Sequence, residues 1–146
     1  MIKTHSLNNP AYAALVLRVA LGTMALAHGL LKIVVFTIPG TVGYFEIIGL
    51  PGTLAYATIG LELLTGIALI AGVQSRLAAA LLVPVLLGAA LFGHGGNGWL
   101  FSNQGGGWEY PLFLAVAAGA QIFLGNGALA LDRVLARTGS VAREAA

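Results

Sequence analysis

TLAYATIGLELLTGIALIAGVQSRLAAALLVPVLLGAALFGH, residues 53–94, consists of two apolar runs separated only by Gln74-Ser75. A bilayer core of about 30 Å requires about 20 residues of helix, and each run has that length. Gly72 before the break and Arg76 after it supply the chemistry of a tight helical turn, so the spacing predicts two antiparallel neighbouring helices over 53–73 and 76–94. Pro84 is expected to kink the second. Outward from this hairpin, two further apolar stretches of spanning length lie near 11–31 and 111–131. The expected fold is all-α: a four-transmembrane-helix bundle in a single integral membrane domain over residues 1–146, ending in a tail over 132–146.

Composition agrees with this reading. Of the 146 residues, 58% are hydrophobic and only 8% charged, with a mean hydropathy of +0.91. Ordinary soluble domains carry roughly 25% charged residues, so a typical soluble enzyme is excluded. The formal net charge of +2 comes from scattered side chains with no basic face, which argues against nucleic acid. The absence of cysteine excludes disulfides, thiolate metal sites and cysteine-ligated iron–sulfur clusters. Any redox chemistry therefore needs a bound cofactor or a partner.

The N-terminal run has features of a secretory signal: Lys3 precedes it, and Ala25-Leu26-Ala27 resembles a cleavage site. Arg18 in its middle is unfavourable for a signal, and the run reads as a retained span. With the N-terminus cytoplasmic, Lys3, Arg76, Arg133, Arg137 and Arg143 lie inside and only Lys32 outside, which places both termini in the cytoplasm. The connections 32–52 and 95–110 then face outwards. The first is apolar but broken by Pro39-Gly40 and Pro51-Gly52, so an interfacial or re-entrant segment is expected between the first two spans. The second holds Trp99, Phe101, Trp108 and Tyr110 among glycines and reads as an aromatic belt, with a binding loop as the alternative.

The spans also echo one another. Leu21-Gly22 precedes His28-Gly29 at the same spacing as Leu87-Gly88 precedes His94-Gly95, and Gly60, Glu62 and Gly66 are matched by Gly119, Gln121 and Gly125. The chain can be read as two repeated helical hairpins related in parallel, with coincidence as the alternative.

Ionisable groups at membrane depth are costly and therefore informative. Counting along the helices puts Arg18, Glu62 and Gln121 at comparable depth, and an Arg18–Glu62 pair completed by Gln121 is the expected inner cluster. It serves either as a proton-exchanging or ligand-anchoring group, with Glu62 and Arg18 the candidate catalytic residues, or only to fix the register of the bundle. His28, Lys32 and His94 form the expected outer rim, which serves either as interfacial polar residues without a ligand or to hydrogen-bond a quinone-like ligand, with haem or a metal as weaker alternatives. No third ligand is fixed by spacing, so no metal set is assigned. His5 reads as a tail residue.

These residues resemble the DoxX family of small four-span membrane proteins. The resemblance rests on Leu17-Arg18, Gly22 and His28-Gly29-Leu30-Leu31-Lys32, on Phe45 to Gly52, on Gly60-Leu61-Glu62 and Gly72, and on Arg76, His94 and the stretch from Gly125 to Asp132. It implies a bacterial inner-membrane protein associated with quinone-linked oxidation, with Arg18, His28, Lys32, Glu62 and His94 as recurring polar positions. The resulting expectation is a membrane subunit of a quinone-linked oxidoreductase system. Gln121 joins the ligand-binding residues, and a soluble partner carries the redox centre; self-association is also expected. A non-enzymatic anchor or scaffold, or a small transporter, are the rival readings.

Overall fold

The structure, a computed structural model, describes residues 9–134 and 136, and among them every regular element is helical. Helix α1 spans Pro10–Val34, α2 Ile38–Ile47, α3 Leu54–Ala71, α4 Ser75–Gly88 and α5 Glu109–Leu124. A π-helical turn at Ala89–Gly93 prolongs α4, and a single 3₁₀ turn at Gly95–Asn97 follows. Lys3, His5, Arg137, Arg143 and most of the expected tail lie outside the described residues.

Helix α1 starts at Pro10, whose missing N–H costs nothing in a first turn, and the Asn9 side chain accepts from the Ala11 N–H. At the hairpin, Gly72 takes the left-handed conformation (φ 73°) and its N–H and that of Val73 both reach the Ala68 carbonyl, stopping α3. Helix α4 continues through Pro84.

Helix α1 packs on α3, α3 on α4, α4 on α5, and α5 back on α1. The core between them is built of small residues: Ala25, Ala78, Ala79, Ala115 and Ala118 sit among Leu21, Leu69, Leu82 and Leu86. Large apolar side chains point outwards instead, with Phe123 84%, Phe113 72% and Leu64 70% exposed. That inverted arrangement suits lipid, where small interior residues let helices approach. The tightest approach is at Gly22 and Gly66: a Cβ on Gly22 would stand 2.8 Å from the Gly66 carbonyl oxygen, and one on Gly66 2.8 Å from the Leu26 amide.

Three helical segments are long and apolar enough to cross a membrane: Pro10–Val34, Leu54–Ala71 and Ser75–Gly93. The fourth expected span is shortened. Helix α5 ends at Leu124, and its 16 residues measure about 24 Å, less than the hydrocarbon core. Gly125 (φ 72°) and Gly127 (φ 68°) break it, and the chain folds back so that the Ala128 N–H donates to the Ala11 carbonyl. Between α1 and α3, the segment expected at the interface contains α2. This helix starts after Thr37, whose side chain accepts from the Gly40 N–H, and it buries Thr41 and Phe45 one turn apart.

Candidate functional site

Near its C-terminal end α1 presents His28 and, one turn on, Lys32; α3 presents Glu62 opposite them. Gly29 brings the helices together there, since a Cβ would lie 2.8 Å from Leu63 Cδ2 and 3.2 Å from Glu62 Cβ. Lys32 Nζ donates to both Glu62 carboxylate oxygens, at 2.7 and 2.8 Å. The pair is largely shielded, the Lys32 side chain being 19% exposed and that of Glu62 9%. An ammonium has three protons, so one Lys32 N–H remains beyond the two given to the carboxylate. Thr41 Oγ1 donates to the Lys32 carbonyl (3.0 Å), tying α2 to the same turn of α1.

His28 Nδ1 lies 2.9 Å from the Met24 carbonyl. A carbonyl only accepts, so Nδ1 carries the proton and the neutral ring keeps its lone pair on Nε2. His28 stands one turn before Lys32 on α1. The three side chains therefore bring together an acid, an ammonium and an imidazole at one end of α1. Such a group can hold a proton, pass it between oxygen and nitrogen, and hydrogen-bond a small polar ligand.

Arg18 is elsewhere. Sequence reasoning paired it with Glu62, but the structure gives the carboxylate to Lys32. Arg18 lies 14 residues before Lys32 on α1, roughly 21 Å along the axis. The residue is 1% exposed, and its guanidinium donates from Nη1 to the carbonyls of Leu69 (2.7 Å) and Ile70 (2.6 Å) and from Nη2 to those of Ala128 and Leu129 (both 3.1 Å). The last carbonyls of a helix have no partner within it and sit at the negative end of its dipole. A fork of N–H groups satisfies several at once, which a carboxylate cannot do. Gly72 completes the cage: a Cβ there would come 2.9 Å from the guanidinium carbon.

Gln121 does not join the Lys32–Glu62 pair either. It is fully buried, its Nε2 donates to the Gly125 carbonyl of its own helix end (2.6 Å), and its Oε1 has no hydrogen-bond partner among the described residues. The inner cluster expected of Arg18, Glu62 and Gln121 is therefore three separate arrangements.

His94, the third residue of the expected rim, is held by the connection that follows it. Its Nδ1 lies 3.1 Å from each of the Gly105 and Gly106 carbonyls, and the Tyr110 hydroxyl donates to its Nε2. Both nitrogens are thus used to pin the 95–108 connection to the start of α5. Asn97 Nδ2 reaches the same two carbonyls, and Glu109 Oε1 accepts from the Phe101 N–H. Trp99 packs edge-on against Trp108. Tyr110 is the residue sequence reasoning missed as a partner; its position 16 residues from His94 carries no local periodicity. The echoed residues take different structural places, for Gly66 lies at a helix crossing whereas Gly125 ends a helix, and His28 lies within a helix whereas His94 follows one.

Comparison with known proteins bears on this region. The family model described as DoxX matches residues 13–95, which include most of α1, all of α2, α3 and α4, and every member of the His28–Lys32–Glu62 group. A protein of Bacillus subtilis (strain 168) named "Putative oxidoreductase CatD" is 35% identical over 77 residues, covering 53% of this chain and 56% of that protein. No solved structure matches.

Proposed function

The chain belongs to the DoxX family, and from that premise we propose that it is an inner-membrane subunit of a quinone-linked oxidoreductase system, working with a soluble partner that carries the redox centre. The observation that carries the reading is the shielded Lys32–Glu62 pair with His28 one turn away. The relative named as an oxidoreductase supports the redox class.

The donor set suits a quinone carbonyl. Lys32 keeps an N–H beyond its bonds to Glu62, and His28 Nε2 accepts a hydroxyl proton when neutral or donates when protonated. A bound quinone would supply reversible two-electron, two-proton chemistry. Lys32 orients and stabilises negative charge on a ligand oxygen, while Glu62 holds Lys32 in place and takes up or returns a proton through it. The apolar helix faces around the pair limit water, which strengthens these interactions.

The test is purification in mild detergent followed by extraction and quantification of quinone, for the native chain, Lys32→Met and His28→Phe. The expected result is near-stoichiometric quinone in the native protein and its loss in both variants, with helical content unchanged. Native protein without quinone would overturn the reading. A specific observation favours one rival, a non-enzymatic anchor: Lys32 and Glu62 satisfy one another directly, as a purely structural pair would. Quinone-free protein recovered with a stoichiometric protein partner would establish that alternative.

A further inference from the structure

At the Arg18 end of the molecule, away from the Lys32–Glu62 pair, an open polar recess of about 300 Å³ is lined by Gln74, Arg76, Asn126, Asp132 and Arg133. Its walls are fixed by their own hydrogen bonds. Asp132 Oδ2 accepts from the Gln74 N–H (2.8 Å) and from Asn126 Nδ2 (2.9 Å), and Asn126 Oδ1 accepts from the Ser75 N–H (3.0 Å). Gln74 holds a left-handed φ of 46°, which a non-glycine residue keeps only where its surroundings fix it. Behind this wall, Arg18 grips the carbonyls of Ala128 and Leu129, so the segment carrying Asn126 and Asp132 is anchored to α1 and α3.

The charges in this recess are unevenly satisfied. The Asp132 carboxylate is met by neutral amide donors, while neither Arg76 nor Arg133 has an ion-pair partner among the described residues. Arg76 lies across Gly125, where a Cβ would come 2.9 Å from its Nε, so its position depends on that glycine. Two arginines against one aspartate leave the lining with one formal positive charge. Guanidinium groups suit phosphate because their N–H groups form a planar fork. Leu77, next to Arg76 in sequence, and Leu129, between Asn126 and Asp132, are exposed (57% and 79%) and offer apolar surface along which a hydrocarbon chain can lie.

We propose that this recess binds the phosphodiester of an anionic phospholipid headgroup, with Arg76 and Arg133 as its clamp and Gln74 and Asn126 as the neutral floor. The single excess positive charge matches a singly charged phosphodiester, and the position at the rim of apolar helices is where headgroups lie.

The full chain in mild detergent is titrated with phosphatidylglycerol, phosphatidylcholine or inorganic phosphate, and bound adducts are counted by native mass spectrometry. One phosphatidylglycerol per chain is expected, with phosphatidylcholine retained less because its net charge is zero. Each of Arg76→Gln and Arg133→Gln should weaken phosphatidylglycerol about fivefold, the double variant about twentyfold, and Arg→Lys should restore part of the loss. Both arginines are exposed, and unchanged thermal melting of the variants shows that the loss is not unfolding. Equal retention by native and double-variant protein would overturn the proposal. So would inorganic phosphate that binds as well as the lipid and displaces it, which makes the free anion the ligand.

Discussion

The two ends of α1 neutralise a buried cation in different ways. Arg18 is surrounded by four backbone carbonyls, whereas Lys32 meets the two oxygens of one carboxylate. A backbone carbonyl does not titrate, so the arginine arrangement is permanent and joins α1, the end of α3 and the 125–131 turn. A carboxylate can gain or lose a proton, so the lysine arrangement can change state. The first is built to hold the fold together; the second has the chemistry for a functional site.

The largest effect is expected from breaking the permanent end. Arg18→Met leaves four carbonyls without their donors and should cost about 3–5 kcal/mol, read as a large fall in the thermal midpoint in detergent. Arg18→Lys should recover only part, since three ammonium protons cannot cover the same spread. A loss under about 1 kcal/mol would mean that water can replace the guanidinium.

At the other end, Glu62→Gln should cost about 2–4 kcal/mol because it leaves Lys32 charged and unpaired, while adding Lys32→Met should recover much of that loss. A double-mutant cycle is expected to give a coupling of about 1–3 kcal/mol for Lys32–Glu62 and nearly none for Arg18–Glu62. Appreciable coupling in the second cycle would erase the contrast between the ends.

The contact between the two helices that separates these sites is the next target. Gly22→Ala places a methyl 2.8 Å from the Gly66 carbonyl oxygen and should cost about 1–3 kcal/mol through forced separation of α1 and α3. It should also lengthen the Lys32–Glu62 contact, visible as a smaller coupling in the same cycle.

The smallest effect lies off both ends. Tyr110→Phe removes the hydroxyl that donates to His94 and should cost about 1 kcal/mol. The expected signature is faster protease cleavage within 95–108 with helical content intact; uniform destabilisation would instead make the loop part of the core.

Much of this architecture was readable in the chain. The hairpin at 72–76 follows from Gly72 and the length of the flanking runs, and Arg18 and Glu62 stood out as charges in apolar sequence. The premature end of α5 also has a local signal, Gly125-Asn126-Gly127, although apolar residues continue after it. The pairing of the charges had no such signal. Depth counting put Arg18 and Glu62 within reach, but it took no account of backbone carbonyls as competitors. Lys32, one turn beyond His28, reads as a rim residue, yet its long side chain reaches Glu62.

The sequence by itself determined an all-helical membrane protein. Those properties come from composition and helical period, which local physics reads directly. Only the tertiary structure decided which partner each buried charge takes. That choice depends on where helix α3 ends, on how closely Gly22, Gly29 and Gly66 let α1 approach it, and on the fold-back after Gly125. A buried charge takes whichever donors or acceptors the folded chain brings within about 3 Å, and residues far apart in sequence set that distance.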